Sequence, residues 1–164
     1  MRSIALDWIG RNYLRQPVHR LVAPYLGRSH SARSGHRVRI YYARNKISFS
    51  QVYPFLFYGA DLYAQLKIDI RFEPVEALLG GAAPPPCDAD VIILQTWFTV
   101  DHDQLRRALE HLCAASPAAR IVFFDSFAHN DLRLARVLDP YISLYVKKSL
   151  FRDRELYFHP FRGD

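Results

Sequence analysis

Cysteine is scarce in this chain: Cys87 and Cys113 are the two among 164 residues, and neither belongs to a CxxC pair. A disulfide framework is therefore excluded, and reduced thiols in a cytoplasmic setting are expected. No run of about 18 apolar residues occurs, so no transmembrane helix is expected. The N-terminus has no uninterrupted apolar stretch, which argues against a secretory signal. No GxGxxG follows the first predicted strand and no GxxxxGK[ST] occurs, so the dinucleotide fingerprint and the P-loop are both missing. GxSxG is absent too, which disfavours an α/β-hydrolase. The seven histidines fit no metal-ligand spacing, so no metal site is expected.

What is present is a hydrophobic chain, half of it apolar and 14% aromatic. That is enough to bury a core and unlike a disordered segment. The net charge of +6 is unevenly placed. Residues 1–36 carry six arginines against Asp7 alone, while residues 37–164 are nearly balanced. A nucleic-acid binder would carry its basic stripe on the folded domain, so nucleic acid is not an expected partner. Two units follow: a basic helical extension and linker over 1–36, and one α/β domain over 37–164.

In the extension, Ile4, Trp8, Ile9 and Tyr13 fall at helical spacing. Val18, Leu21, Val22, Tyr25 and Leu26 form a second apolar face after Pro17, with Pro24 inside the pattern. Two readings stay open: helices packed on the domain or on a partner, or a basic amphipathic segment peripheral to an anionic inner membrane. Gly27 to His36 reads as a flexible linker.

The domain reads β-α-β-loop-β-α-β-α-β. Arg37–Ala43 alternates, with Val38, Ile40 and Tyr42 inward and a wetter face of Arg37, Arg39 and Tyr41. A helix from Ser48 or Ser50 to about Leu66 follows, with Gly59 a weak point. Residues 67–73 form the second strand, and 80–88 an irregular loop. Val91–Leu94 and Ile121–Phe124 are apolar on both faces, as in central parallel strands. Between them Asp101 and Gln104 are a variant of the capping box. A short helix, 131–138, precedes a last strand, 141–146, with Ile142, Leu144 and Val146 on one face. The expected fold is a Rossmann-like parallel sheet of about five strands with helices on both faces. The expected order is 3-2-1-4-5, with the crevice between strands 1 and 4.

Ligands of such sheets sit beyond the carboxyl ends of the strands. Candidate residues there are Arg44 and Asn45 after strand 1, Gln95, Thr96 and Trp97 after strand 3, Asp125, Ser126 and His129 after strand 4, and Lys147 and Lys148 after strand 5. Asp125 could be a general base with His129 as its partner, or cap the next turn through the amides of Phe127 and Ala128. Trp97 could stack on a sugar ring or pack in the core. Arg44, Lys147 and Lys148 could draw negative charge into the cleft. A two-component receiver is excluded, because Ala43-Arg44-Asn45 supplies no acid after strand 1.

The stretches Asp125-Ser-Phe-Ala-His-Asn-Asp131 and Asp139–Arg154 resemble the N-terminal, acceptor-side half of bacterial GT-B type glycosyltransferases. That resemblance implies a Rossmann-like domain that binds a sugar or glycan acceptor. Asp125 or His129 would assist deprotonation of the acceptor hydroxyl, with Arg44, Asn45, Gln95, Trp97, Ser126, Lys147 and Lys148 as substrate-binding residues. The nucleotide-sugar donor would lie on a second domain or subunit, so no cofactor is expected in this chain and no activity from it alone. Ala43-Arg-Asn-Lys46 departs from that family's Gly-rich loop. The alternative is a non-catalytic binding or assembly module that docks a partner or an anionic membrane through its N-terminal helices.

Overall fold

A computed structural model describes residues 29–44, 46–81 and 88–158. Five strands form one parallel sheet: β1 (His36–Tyr42), β2 (Ile68–Pro74), β3 (Val91–Leu94), β4 (Arg120–Asp125) and β5 (Leu144–Lys147). The helices are α1 (Lys46–Phe57), α2 (Gly59–Leu66), α3 (Val75–Leu79), α4 (His102–Ala115) and α5 (Ala135–Leu138), with a 3₁₀ turn at Arg154–Phe158. The α/β class and the strand count agree with the sequence reading. The spatial order is β2-β1-β3-β4-β5, which corrects the expected 3-2-1-4-5. Alternation identifies a strand but not its neighbours, and the direction of the winding reverses between β1 and β3. The topological switch point, and with it the crevice, lies there rather than between the first and fourth strands.

The two faces of the sheet bury separate cores. On one face Tyr41, Ile92, Leu94, Ile121 and Phe123 meet Leu105, Leu109 and Leu112 of α4 and Leu138 of α5. On the other, Ile40, Tyr42, Ile70, Phe72 and Ile93 meet Val52 of α1, with Phe55, Leu56 and Leu62 packed around them. The face expected to be wetter is so only at its start: the Arg37 side chain is part-exposed, but Tyr41 is buried, and so is Arg39, whose guanidinium pairs with Glu73 and lies 3.5 Å from Asp88.

Local chemistry accounts for the element boundaries. The single helix expected up to Leu66 is two, interrupted at Tyr58 just ahead of Gly59, where helix propensity is lowest. Pro54 sits inside α1. Lys67 ends α2 in the left-handed conformation at φ 57°, and its carbonyl accepts the amides of Gly35 and His36. Asp101 caps α4 by accepting from the Gln104 amide at 2.7 Å. The Gln104 side chain does not reach back to close a capping box; its amide donates to the Leu79 carbonyl instead. The helix expected over 131–138 is confined to Ala135–Leu138, because the Asp131–Arg133 pair holds the preceding residues in another path.

The extension over residues 1–28 lies outside the described residues. In its described part, residues 29–35, the expected linker is tied down. His30 sits with one ring nitrogen 2.6 Å from Asp88 and the other 3.0 Å from the Val38 carbonyl, and the Ser31 amide donates to Asp69 at 2.6 Å.

Candidate functional site

The carboxyl ends of the strands bring together Gln95, Ser126, Asp125 and Lys147, but not as an open cleft. At the β1/β3 switch point the fully buried Gln95 donates through Nε2 to the Ser48 carbonyl at 3.0 Å and to Gln51 Oε1 at 2.9 Å. Ser48 Oγ lies 3.1 Å from Ser126 Oγ, and Gln51 Nε2 donates to the Asp125 carbonyl at 3.4 Å. These bonds draw the first turns of α1 onto the ends of β3 and β4. Gln95 Oε1 and Thr96 Oγ1 are buried without a partner among the described residues.

Asp125 is the last residue of β4 and only 1% exposed. Its Oδ1 accepts the Phe127 amide at 2.8 Å, so it caps the turn. Its Oδ2 accepts the Tyr145 hydroxyl and the Lys147 ammonium, each at 2.7 Å. The Lys147 side chain is itself 1% exposed. A buried charge is tolerated only when it is paired and hydrogen-bonded, and here both halves of the pair meet that condition. Burial, reinforced by the hydrogen bond to Asp125, pushes the Tyr145 hydroxyl well above the usual phenol range.

His129 is not Asp125's partner. Its ring packs edge-on against Phe98, with centroids 5.8 Å apart. It stands on the side of Asp131, whose carboxyl is held below the usual range first by the Arg133 hydrogen bonds, against burial, and then by the charges of Arg133, His129 and Lys147. Arg133 also lies over the Phe98 ring at 5.9 Å. Arg44 leans toward Glu76 at 3.9 Å rather than into a cleft. Lys148 is exposed, and Trp97 is half-buried against the first core. Asn45 lies outside the described residues. The expected concentration of positive charge is therefore corrected: Lys147 is neutralised by Asp125 and Arg44 leans on Glu76.

Sequence reasoning missed Tyr145, Arg133, Ser48 and Gln51. Reading the last strand in the opposite phase would have found Tyr145 and Lys147 together, since parallel pairing sets Asp125 against Lys147. Leu144 and Val146, expected to share one face, are 55% and 36% exposed. Among the described residues no group of three or more His, Cys, Asp or Glu side chains could hold a metal ion. Nor is any helix of that part long and apolar enough to cross a membrane.

No family model matches the chain, and no curated protein matches it. Among solved structures it is similar to the pilus assembly protein CpaE of Caulobacter crescentus CB15, at 17% identity and a TM-score of 0.46. That similarity covers 68% of this chain and 86% of the other. The glycosyltransferase resemblance drawn from the sequence is corrected by these results, which return a pilus assembly protein and no glycosyltransferase.

Proposed function

We propose that the chain is a non-catalytic α/β binding module that docks on an anionic membrane surface through its basic N-terminal segment. The observation that carries the first half is the closed state of Asp125. Its carboxylate accepts three donors in a site from which water is excluded. A general base needs a free lone pair within reach of the proton it takes. The α1 turn held by Gln95 and Ser126 likewise occupies the position where an open sheet of this order would take a ligand. The second half is supported by the six arginines of residues 1–36, interleaved with two apolar helical patterns.

Two measurements test this. Sedimentation with vesicles containing anionic lipid should bring the full chain down, and neutral vesicles should not. Replacing Arg11, Arg15 and Arg20 with glutamate should abolish the effect. A failure to bind anionic vesicles at low salt would remove the membrane half. Transfer from labelled nucleotide-sugars, lost in D125N, would remove the non-catalytic half.

A further inference from the structure

A hollow lies at the carboxyl end of the sheet, away from the filled switch point. The chain leaves β4 through residues 126–134 and leaves β5 through residues 148–158, at the same end of two neighbouring parallel strands. These two segments and α5 enclose a cavity of about 460 Å³. That falls within the range of about 300–1,000 Å³ that small-molecule sites occupy. One side is supplied by Leu132, Arg133 and Arg136, the other by Phe151, Leu156 and Tyr157. None of the six is hydrogen-bonded to Asp125, whose donors are the Phe127 amide, Tyr145, Lys147 and Gln51.

The charges of this cavity do not cancel. Asp131 also lines it, and accepts from Arg133 Nε at 2.9 Å and Nη2 at 2.7 Å, so that carboxylate is engaged through both oxygens. Arg136 is exposed and makes no hydrogen bond or ion pair among the described residues. The lining therefore sets two guanidiniums against one carboxylate, a surplus of one positive charge. The opposite wall is aromatic and already ordered. The rings of Phe151 and Tyr157 lie 5.0 Å apart, inclined at 57°, and the Phe151 amide donates to the Tyr157 hydroxyl oxygen at 3.1 Å. Rings fixed in the free protein spare a ligand the cost of ordering them.

We propose that this cavity binds a small aromatic ligand with one anionic group, its ring against Phe151 and Tyr157 and its carboxylate or phosphate on Arg136. An arginine meets either anion through paired N–H donors. A flat ring gains edge-to-face or offset contact with aromatic side chains, which an aliphatic body does not. The location agrees, since ligands of open parallel sheets sit outside the carboxyl ends of the strands. This site is independent of membrane docking, which concerns residues 1–36, and it stands if that reading fails.

Titration of the full chain followed by amide NMR tests this with two probes, indole-3-acetate for the carboxylate and adenosine monophosphate for the phosphate. At least one should give saturable shifts in residues 131–136 and 151–157, with Kd below about 1 mM. That probe should bind about tenfold more tightly than its uncharged ring, indole or adenosine, and than its anion alone, acetate or inorganic phosphate. Arg136→Glu should weaken it by about tenfold or more. Arg152→Glu, exposed on the neighbouring segment and outside the lining, should leave it within about twofold of the parent. Both substituted side chains are exposed, and unchanged spectra away from the cavity verify that each variant is folded. Three results would overturn the inference: neither probe saturating there, acetate or phosphate binding as tightly as the aromatic probe, or equal losses in the two arginine variants.

Discussion

Replacing Asp125 with asparagine should cost the fold a large part of its stability. The substitution keeps the shape of the side chain and the oxygen that accepts the Phe127 amide. It removes the charge facing Lys147, whose side chain is 1% exposed and has no route to water without moving β5. Removing one partner of a buried pair costs about 3–5 kcal/mol, because the other charge is left uncompensated. The Tyr145 hydroxyl oxygen can instead accept from the new amide NH2, so about 3 kcal/mol is expected, the lower end of that range. With a slope of about 2 kcal/mol per molar urea, the unfolding midpoint should fall by about 1.5 M. Asp125→Asn with Lys147→Met should lose less than the sum of the two single changes by about 2 kcal/mol, the coupling of groups in direct contact. Urea titrations followed by circular dichroism at pH 7 measure all four states. A single D125N variant within about 0.5 kcal/mol of the parent, which is what a surface substitution gives, would refute the reading of Asp125 as a closed structural ion.

His30→Ala should destabilise the domain by about 2 kcal/mol, because it leaves the Val38 carbonyl and Asp88 short of a donor; thermal melts check this. Lys67→Gly should raise stability by about 0.5 kcal/mol by relieving a side chain at φ 57°, again read from the urea midpoint. Acid should weaken the fold. The Arg37 hydrogen bonds lower the Asp90 carboxyl and those of Arg133 lower Asp131, while for Asp88 burial acts upward and is outweighed by the His30 hydrogen bond and charge, a backbone hydrogen bond and the Arg39 charge together. Each folded value lies below the unfolded one, so the stabilisation is complete above the ordinary carboxylate range and is lost as pH falls through it. Melting temperatures should therefore be level from about pH 7 to 5 and drop below about pH 4.5, and an unchanged melt at pH 3.5 would contradict the assignment.

The parts of the fold that were legible in the sequence are those where composition leaves one solution. Val91–Leu94 and Ile121–Phe124 are apolar at every position, and only a strand covered on both sides suits them. Arg39 misled because burial of an arginine depends on acids far along the chain, Glu73 and Asp88, that a local pattern does not display. The last strand misled for a related reason. Three apolar residues of alternate position marked a shared face but not which way it points; Lys147 is drawn inside by Asp125, which turns Leu144 and Val146 outward. Asp125 itself was legible as a residue of consequence from its place at a central strand's end. Its partners were not, since Tyr145 and Lys147 reach it only through the β4–β5 register.

The His30 clasp has a mechanical consequence. The imidazole joins the chain just ahead of β1 to Asp88, 58 residues away, and to the Val38 carbonyl within β1. A force applied through the N-terminal segment would load this side chain and the Ser31–Asp69 bond before it reached the first rung of the sheet. The domain thus has a strain relief at the point where a cable would be attached, and a tug on the extension is borne by the clasp before the sheet begins to unzip.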